Sequence, residues 1–291
     1  MSDLNRREFL RKSLGAIGTL ALGSVAPDVR GDQHPRHAED RIVLGPSGVE
    51  VSRLAIGTGT SGVGGHSNQT RKLGISGLAD LLITGYDRGI TLWDSADQYG
   101  SHPHLKQALD HVPRDKVQIL TKTHATTAKQ MQSDLDRFRK ELGTDYIDIL
   151  LLHMMLDEDW PKEKQGAMEV ISRAKEDGIV RTHGVSCHSL SALKTAAQTD
   201  WVEVDLVRMN PFGVRMDADV DTVSSVLRRM KQNGKGIIGM KILGDGRLVH
   251  RIDECLEYAV NNKSVDCFTI GTESREELFD LIDRIPKVSS G

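Results

Sequence analysis

Eight apolar runs of strand length recur along this chain, and few folds can use them all. They lie at 54–58, 91–96, 117–123, 146–154, 181–187, 204–210, 236–243 and 265–271. Segments of helical periodicity separate them. In 127–142, Met131, Leu135, Phe138 and Leu142 recur at three- and four-residue spacing, which predicts one apolar helix face. Thr126 or Thr127 is its candidate N-cap and Gly143 its stop. Helices over 161–177 and 217–233 end similarly, at Gly178 and Gly234. The strands are continuously apolar rather than alternating, so both of their faces are expected to be buried. Eight strand-helix units in one chain predict an α/β fold, a (β/α)8 TIM barrel. Ahead of it, "RIVLGPSGVEVSR" reads as an N-terminal β-hairpin around a Pro-Ser-Gly turn.

The alternative is an open doubly wound sheet. Gly57, Gly59 and Gly62 spell G-x-G-x-x-G after a strand. A dinucleotide fingerprint must also open a helix, so that the helix N-terminus meets the pyrophosphate. "VGGHSNQTRKLGISG" follows instead, and this argues for a flexible loop over a barrel mouth.

The first residues read as an address. Arg6 and Arg7 precede Phe9 and Leu10, and an uncharged stretch runs from Ser13 to Ala26. As a helix it would reach ~21 Å, short of the ~30 Å hydrocarbon core, so it is a signal h-region and not an integral membrane domain. Residues 1–26 resemble a twin-arginine (Tat) signal, which predicts export to the periplasm and a partner in the twin-arginine machinery. Pro27 directly after Ser24-Val25-Ala26 disfavours cutting there, so both cleavage and retention as an anchor stay open. Residues 27–40 are a polar linker, and 41–291 form the barrel domain. The net charge of −3 provides no basic face for nucleic acid. The three cysteines cannot close a set of disulfides and are expected to be small buried groups.

In a barrel, polar residues at the carboxyl ends of strands face the active site. Asp94, Lys122 and His153 end three successive strands, and Tyr99 lies in the loop after the first. Each alone has an ordinary structural reading; together they do not. The segments "WDSADQYG", "ILTKT" and "DILLLH" resemble, in order, the motifs of the aldo-keto reductase superfamily. "LGPSGVEVSRLAIGTGT", "HGVSCHS", "GMKILGDG" and "TIGTESREEL" resemble further family segments, over roughly residues 41–285. The resemblance implies an NAD- or NADP-dependent enzyme that interconverts a carbonyl (aldehyde or ketone) and an alcohol. It implies Tyr99 as general acid and base, Lys122, kept cationic and oriented by Asp94, lowering its pKa, and His153 orienting the carbonyl.

The same resemblance implies that the cofactor lies across the mouth, at Gly57, Thr58, Ser186, Cys187, Met240, Lys241, Leu243, Gly271, Thr272 and Glu273. Cys187 stands where the family has Asn, Leu206 where Gln is expected, and Met240 where an aromatic often stacks. Glu273 would repel a 2′-phosphate, and Asp280-Leu281 replaces a Glu-Asn pair; both favour NAD, unless Lys241 or Arg275 supplies positive charge. These departures keep a second reading open, an exported nucleotide-binding or regulatory barrel with little catalysis.

Neither His102 with His104 nor His183 with His188 has metal-site spacing, and surface positions are expected for them. Asp157, Glu158 and Asp159 form an acidic turn, but only Asp94 points inward, against a glycosidase; G-x-S-x-G is absent. The substrate pocket is expected from 57–68, 155–165 and 211–220, with Trp160 and Phe212 as its aromatics. A small, sugar-like carbonyl suits so few apolar walls.

Overall fold

The computed structural model describes residues 35–289. The signal segment 1–26 and most of the linker 27–40 lie outside the described residues. The hairpin forms from β1 (Arg41–Leu44) and β2 (Val49–Ser52), with Leu44 opposite Val49 and Ile42 opposite Val51. Leu44, Val49 and Val51 are buried, whereas Val43 is 61% exposed, the alternation of a one-sided ribbon.

Eight parallel strands close the barrel: β3 (Leu54–Gly57), β4 (Leu92–Asp94), β5 (Gln118–Thr123), β6 (Ile147–Met155), β7 (Val180–Cys187), β8 (Val204–Arg208), β9 (Gly236–Met240) and β10 (Cys267–Gly271). They follow chain order, and β10 returns to pair with β3. Two apolar clusters explain why both strand faces are hydrophobic. One lies between barrel and helices and includes Trp93, Phe138 and Phe268. The other fills the barrel interior, and in it Leu92, Leu120, Ile149 and Ile238 join Leu44, Val49 and Val51 of the hairpin. The hairpin thus plugs the barrel at the amino ends of the strands; a Cβ on Gly45 would lie 3.1 Å from the first amide of β9.

Helices cover the outside: α1 (Asn68–Asp87), α2 (His102–Leu109), α3 (Ala128–Leu142), α4 (Trp160–Glu163), α5 (Gln165–Glu176), α6 (Leu190–Gln198), α7 (Val220–Gln232), α8 (Ile252–Asn261) and α9 (Arg275–Val288). In α3, Thr127 accepts from the Gln130 amide in a capping box, and Met131, Leu135, Phe138 and Leu142 are all buried. Such a cap contributes about 1 kcal/mol. The helix expected over 161–177 is two pieces, α4 and α5. That expected over 217–233 starts later, at Val220, where Asp219 accepts from the Thr222 amide. The Gly- and polar-rich stretch after Gly62 does enter a helix. Ser67 and Thr70 make a capping box ahead of α1, which kinks at Gly74. Among the described residues, no helix is long and apolar enough to cross a membrane.

Candidate active site

Asp94, Lys122 and His153 come from β4, β5 and β6, and the structure brings them together with Tyr99. A 3-10 turn over Asp97–Tyr99 carries the tyrosine, closed by Gly100 in the left-handed region. Lys122 is fully buried. Its Nζ donates to one oxygen of Asp94 and, at 2.7 Å, to the Ser95 carbonyl. The other Asp94 oxygen accepts from Thr269 Oγ1 at 2.9 Å. Removing either partner would strand a buried charge. The Tyr99 ring centroid lies 4.9 Å from Lys122 Nζ, and the His153 ring meets it edge-on at 5.7 Å. His124 stacks on His153 at 4.7 Å, and its Nε2 bonds Gln98 Oε1 at 2.8 Å.

The glycines after β3 have their own function here. A Cβ on Gly59 would lie 2.2 Å from the Tyr99 ring, and one on Gly62 2.3 Å. They cradle the ring, and the turn is tied to the loop through Gly65 N–H donating to the Gln98 carbonyl at 2.9 Å.

Burial dominates the acidities. It pushes the Tyr99 phenol above its ordinary value; Lys122, by charge and hydrogen bond, pulls the other way without winning. Burial also opposes the Lys122 charge, but Asp94 and Tyr99 outweigh it and the ammonium is held above its usual range. His153 is well below the ordinary imidazole value, first by burial and then by the Lys122 charge. It is therefore neutral at pH 7, with Nδ1 buried and unpartnered. His188 is lowered to about 4 by burial and by Arg208, Lys241 and Lys122. At neutral pH the site thus holds a protonated phenol, a cationic lysine and neutral imidazoles, a set suited to donating a proton to a carbonyl oxygen.

Two adjoining hollows open at this end. The first is bounded by Gly57, Asp94, Tyr99, Leu206, Met240, Lys241, Leu243, Ile270 and Gly271. Leu243 and Ile270 carry it on to a cleft at α9 with Thr272, Glu277, Asp280, Leu281 and Arg284. Thr272 Oγ1 is buried there without a partner. This elongated groove with an orphaned hydroxyl at its far end fits a dinucleotide. Of the ten cofactor residues expected from sequence, Gly57, Met240, Lys241, Leu243, Gly271 and Thr272 line it.

Four are placed differently. Thr58 Oγ1 donates to the Asp94 carbonyl at 2.9 Å, beneath the site. Ser186 Oγ accepts from the Met154 amide at 2.9 Å. Cys187 packs in the outer cluster, and its thiol donates to Asp205 Oδ2 at 3.3 Å. Glu273 turns to α1, held by Lys72 and, at 2.8 Å, by Asn68 Nδ2. Leu206 offers only apolar surface, so the Gln-like amide contact is absent at that wall. Lys241 is paired with Asp245, and the cation at the α9 cleft is Arg284.

The second hollow shares Gly59, Tyr99, Met240, Lys241 and Asp245 with the first and adds Gln98, His153, His188 and Arg215. Among the described residues five non-glycine residues have positive φ: Ser61, Met154, Arg215, Lys241 and Asp245. All five line this hollow, and strained backbone gathers where a fold commits to a site. Sequence reasoning missed Gln98, His124 and Asp245, placed His188 at the surface, and reached Arg215 only as part of the expected pocket segment 211–220. Only Asp245, flanked by Gly244 and Gly246, carried a signal of left-handed backbone. Of the expected pocket segments, 57–68 supplies Gly59 to Val63 and 211–220 supplies Arg215, whereas 155–165 supplies none, and Trp160 is buried in the core. Phe212 lies outside, under the Arg251 guanidinium at 3.6 Å. The histidines expected at the surface are inside: His102, His104 and His183 are all buried, His183 stacked on Trp201 at 4.3 Å.

The sequence pattern of the Aldo/keto reductase family matches residues 55–287. The chain is 30% identical over 175 residues to versiconal hemiacetal acetate reductase of Aspergillus parasiticus, covering 49% of each. It is 23% identical over 227 residues to D-threo-aldose 1-dehydrogenase of a Pseudomonas species, covering 67% of each. The chain spans about half the length of the first curated relatives it matches. Its fold superposes on an aldo-keto reductase from Klebsiella pneumoniae in complex with NADPH, with TM-score 0.65, 19% identity and coverage of 84% of this chain and 90% of that one. With the pattern spanning nearly the whole barrel and the fold matching, this chain belongs to the aldo/keto reductase family.

Proposed function

We propose that the chain interconverts a small hydroxylated carbonyl and its alcohol, with Tyr99 giving and taking the proton at oxygen. One observation carries this reading: the buried Asp94–Lys122 pair beneath a Tyr99 that also faces His153. A nicotinamide dinucleotide would supply or remove the hydride, held by Met240, Lys241, Leu243, Ile270, Gly271 and Thr272. Lys122, fixed by Asp94 and the Ser95 carbonyl, stabilises the phenolate when the proton leaves. Neutral His153 orients the carbonyl without adding a charge. The glycine cradle holds the ring, and the polar walls of the second hollow suit hydroxyl-bearing molecules. Glu277 and Asp280 ring the far cleft, and Arg284 is committed to Asp253 and Asp280, which favours NAD over NADP. The Arg6-Arg7 segment supports twin-arginine export of this chemistry out of the cytoplasm, with nucleotide loaded before translocation.

The test is to denature purified full-length protein, identify any released nucleotide by mass spectrometry, and titrate fresh protein with NADH and NADPH. Tyr99→Phe is expected to lower turnover by ~10²–10⁴-fold while leaving nucleotide binding intact. Because the phenol is raised, carbonyl reduction should be flat through neutral pH and fail only as the phenol ionises; alcohol oxidation should climb with pH. Absence of both bound nucleotide and nucleotide binding would leave a barrel that does not catalyse this reaction.

A further inference from the structure

Lys122 has two neighbours on β5 whose side chains leave the opposite face of the strand. Thr121 and Thr123 are both buried, and both are bonded outward. Thr121 Oγ1 meets His102 Nε2 at 2.7 Å, and Thr123 Oγ1 donates to Asp134 Oδ2 at 2.5 Å. His102 Nδ1 in turn meets Glu141 Oε2 at 2.8 Å. Asp134 and Glu141 lie three residues before and four after Arg137 on α3, so all three share one stripe of that helix. Arg137 binds both, at 2.8 Å and 3.2 Å. The same guanidinium reaches the opposite way with two parallel bonds, to Asp97 Oδ1 at 2.6 Å and Oδ2 at 2.9 Å. Asp97 opens the turn that ends at Tyr99. One planar fork therefore joins the tyrosine's turn to both flanks of the lysine's strand.

We infer that Arg137, which lines neither hollow, is a positioning residue that fixes Tyr99 relative to Lys122 and through that distance sets the readiness of the phenol to ionise. The inference rests on reading Tyr99 as the proton donor. A charge-phenol interaction in a buried site depends steeply on separation, and the Tyr99 turn is only three residues long. Bidentate geometry matters because lysine, a point charge, cannot hold both Asp97 oxygens while reaching Asp134 and Glu141. The groups that face the phenol directly, Lys122, Asp94 and His153, stay unchanged when Arg137 is altered, and Arg137→Met and Asp97→Asn remove charges of opposite sign, so a shift in the same direction in both reports on placement.

The experiment compares full-length wild type with Arg137→Met, Arg137→Lys and Asp97→Asn, using Tyr99→Phe to subtract the other tyrosines. Phenolate absorbance gives the Tyr99 titration directly; turnover of glyceraldehyde with NADH and NADPH gives kcat, KM and pH profile. Arg137→Met and Asp97→Asn should each move the Tyr99 titration up by about one unit. Each should also lower kcat by roughly tenfold or more with little change in KM. Arg137→Lys should recover part of both, and the double variant should be no worse than either single one, since both cut the same link. A lowered melting temperature with an unmoved Tyr99 titration and pH profile would overturn the inference and leave a purely stabilising network. If Arg137→Met does not fold, Asp97→Asn and Arg137→Lys decide alone. Wild type that turns over nothing while Tyr99 still shifts in the variants would sink the reductase reading and keep the positioning role.

Discussion

Cys187 and Asp205 show how one side chain can be legible by position and illegible by contact. Sequence places Cys187 at the end of a strand, one residue after Ser186, where the family carries a cofactor-binding Asn. The strand's alternation turns it outward, and it donates to a carboxyl group with no exposure. Burial lifts Asp205 to about 7, against hydrogen bonding from Cys187 and with help from Asp217. One of its oxygens has no partner. A raised folded-state pKa means that its contribution to stability is fully present below the unfolded value near 4 and is lost as pH rises through about 7. Asp205→Asn keeps an acceptor for the thiol and cannot ionise. Relative to wild type it should gain stability progressively between pH 4 and pH 8, on the order of 4 kcal/mol in total. Urea melts of both proteins across that range would check it; a pH-independent difference would show that Asp205 ionises freely in the fold. Asp94, Tyr99, Lys122 and His153 were legible because each interrupts or follows an apolar strand. The left-handed backbone of Arg215 and Lys241 was not, since nothing in an Arg or Lys announces it.

At the level of elements, all eight barrel strands were read to within three residues at each end, because burial on both faces leaves them uniformly apolar. Helix α3 was equally clear, with its apolar face bracketed by Thr127 and Gly143. The break between α4 and α5 at Lys164 left no such mark, and α1 was hidden by Gly74, which kinks it without ending it. The hairpin was visible as two alternating runs, but its destination was not, because alternation identifies a buried face and not its partner. Its role as a plug makes a prediction. Leu44, with no exposure, belongs to the barrel's interior cluster, so Leu44→Ala should cost about 3 kcal/mol in denaturant unfolding. Val43→Ala, on the exposed face, should stay within about 0.5 kcal/mol. Specific activity per folded molecule should hold in both, since the tetrad lies at the other end of the strands. Equal costs at 43 and 44 would mean that the hairpin does not pack as described.

For the molecule as a whole, a groove shared between strand ends and α9 ties ligand occupancy to global stability. Nucleotide held, as proposed, by residues from β3, β9 and β10 would bind only the folded barrel. At a hundredfold excess over its Kd it should add about 2.7 kcal/mol, seen as a melting temperature raised by roughly 5–11 °C. NADH should do this at lower concentration than NADPH if Glu277 and Asp280 set the preference at the far cleft. The plugged end of the barrel carries a consequence for traffic. With Leu44, Val49 and Val51 filling one end, the vessel is blind, and whatever enters must back out through the same doorway. A spent molecule and its replacement compete for that passage. In the proposed reaction each cycle would then contain an exchange step governed by diffusion through that opening, and its pace should follow the viscosity of the solvent even where the proton transfer does not.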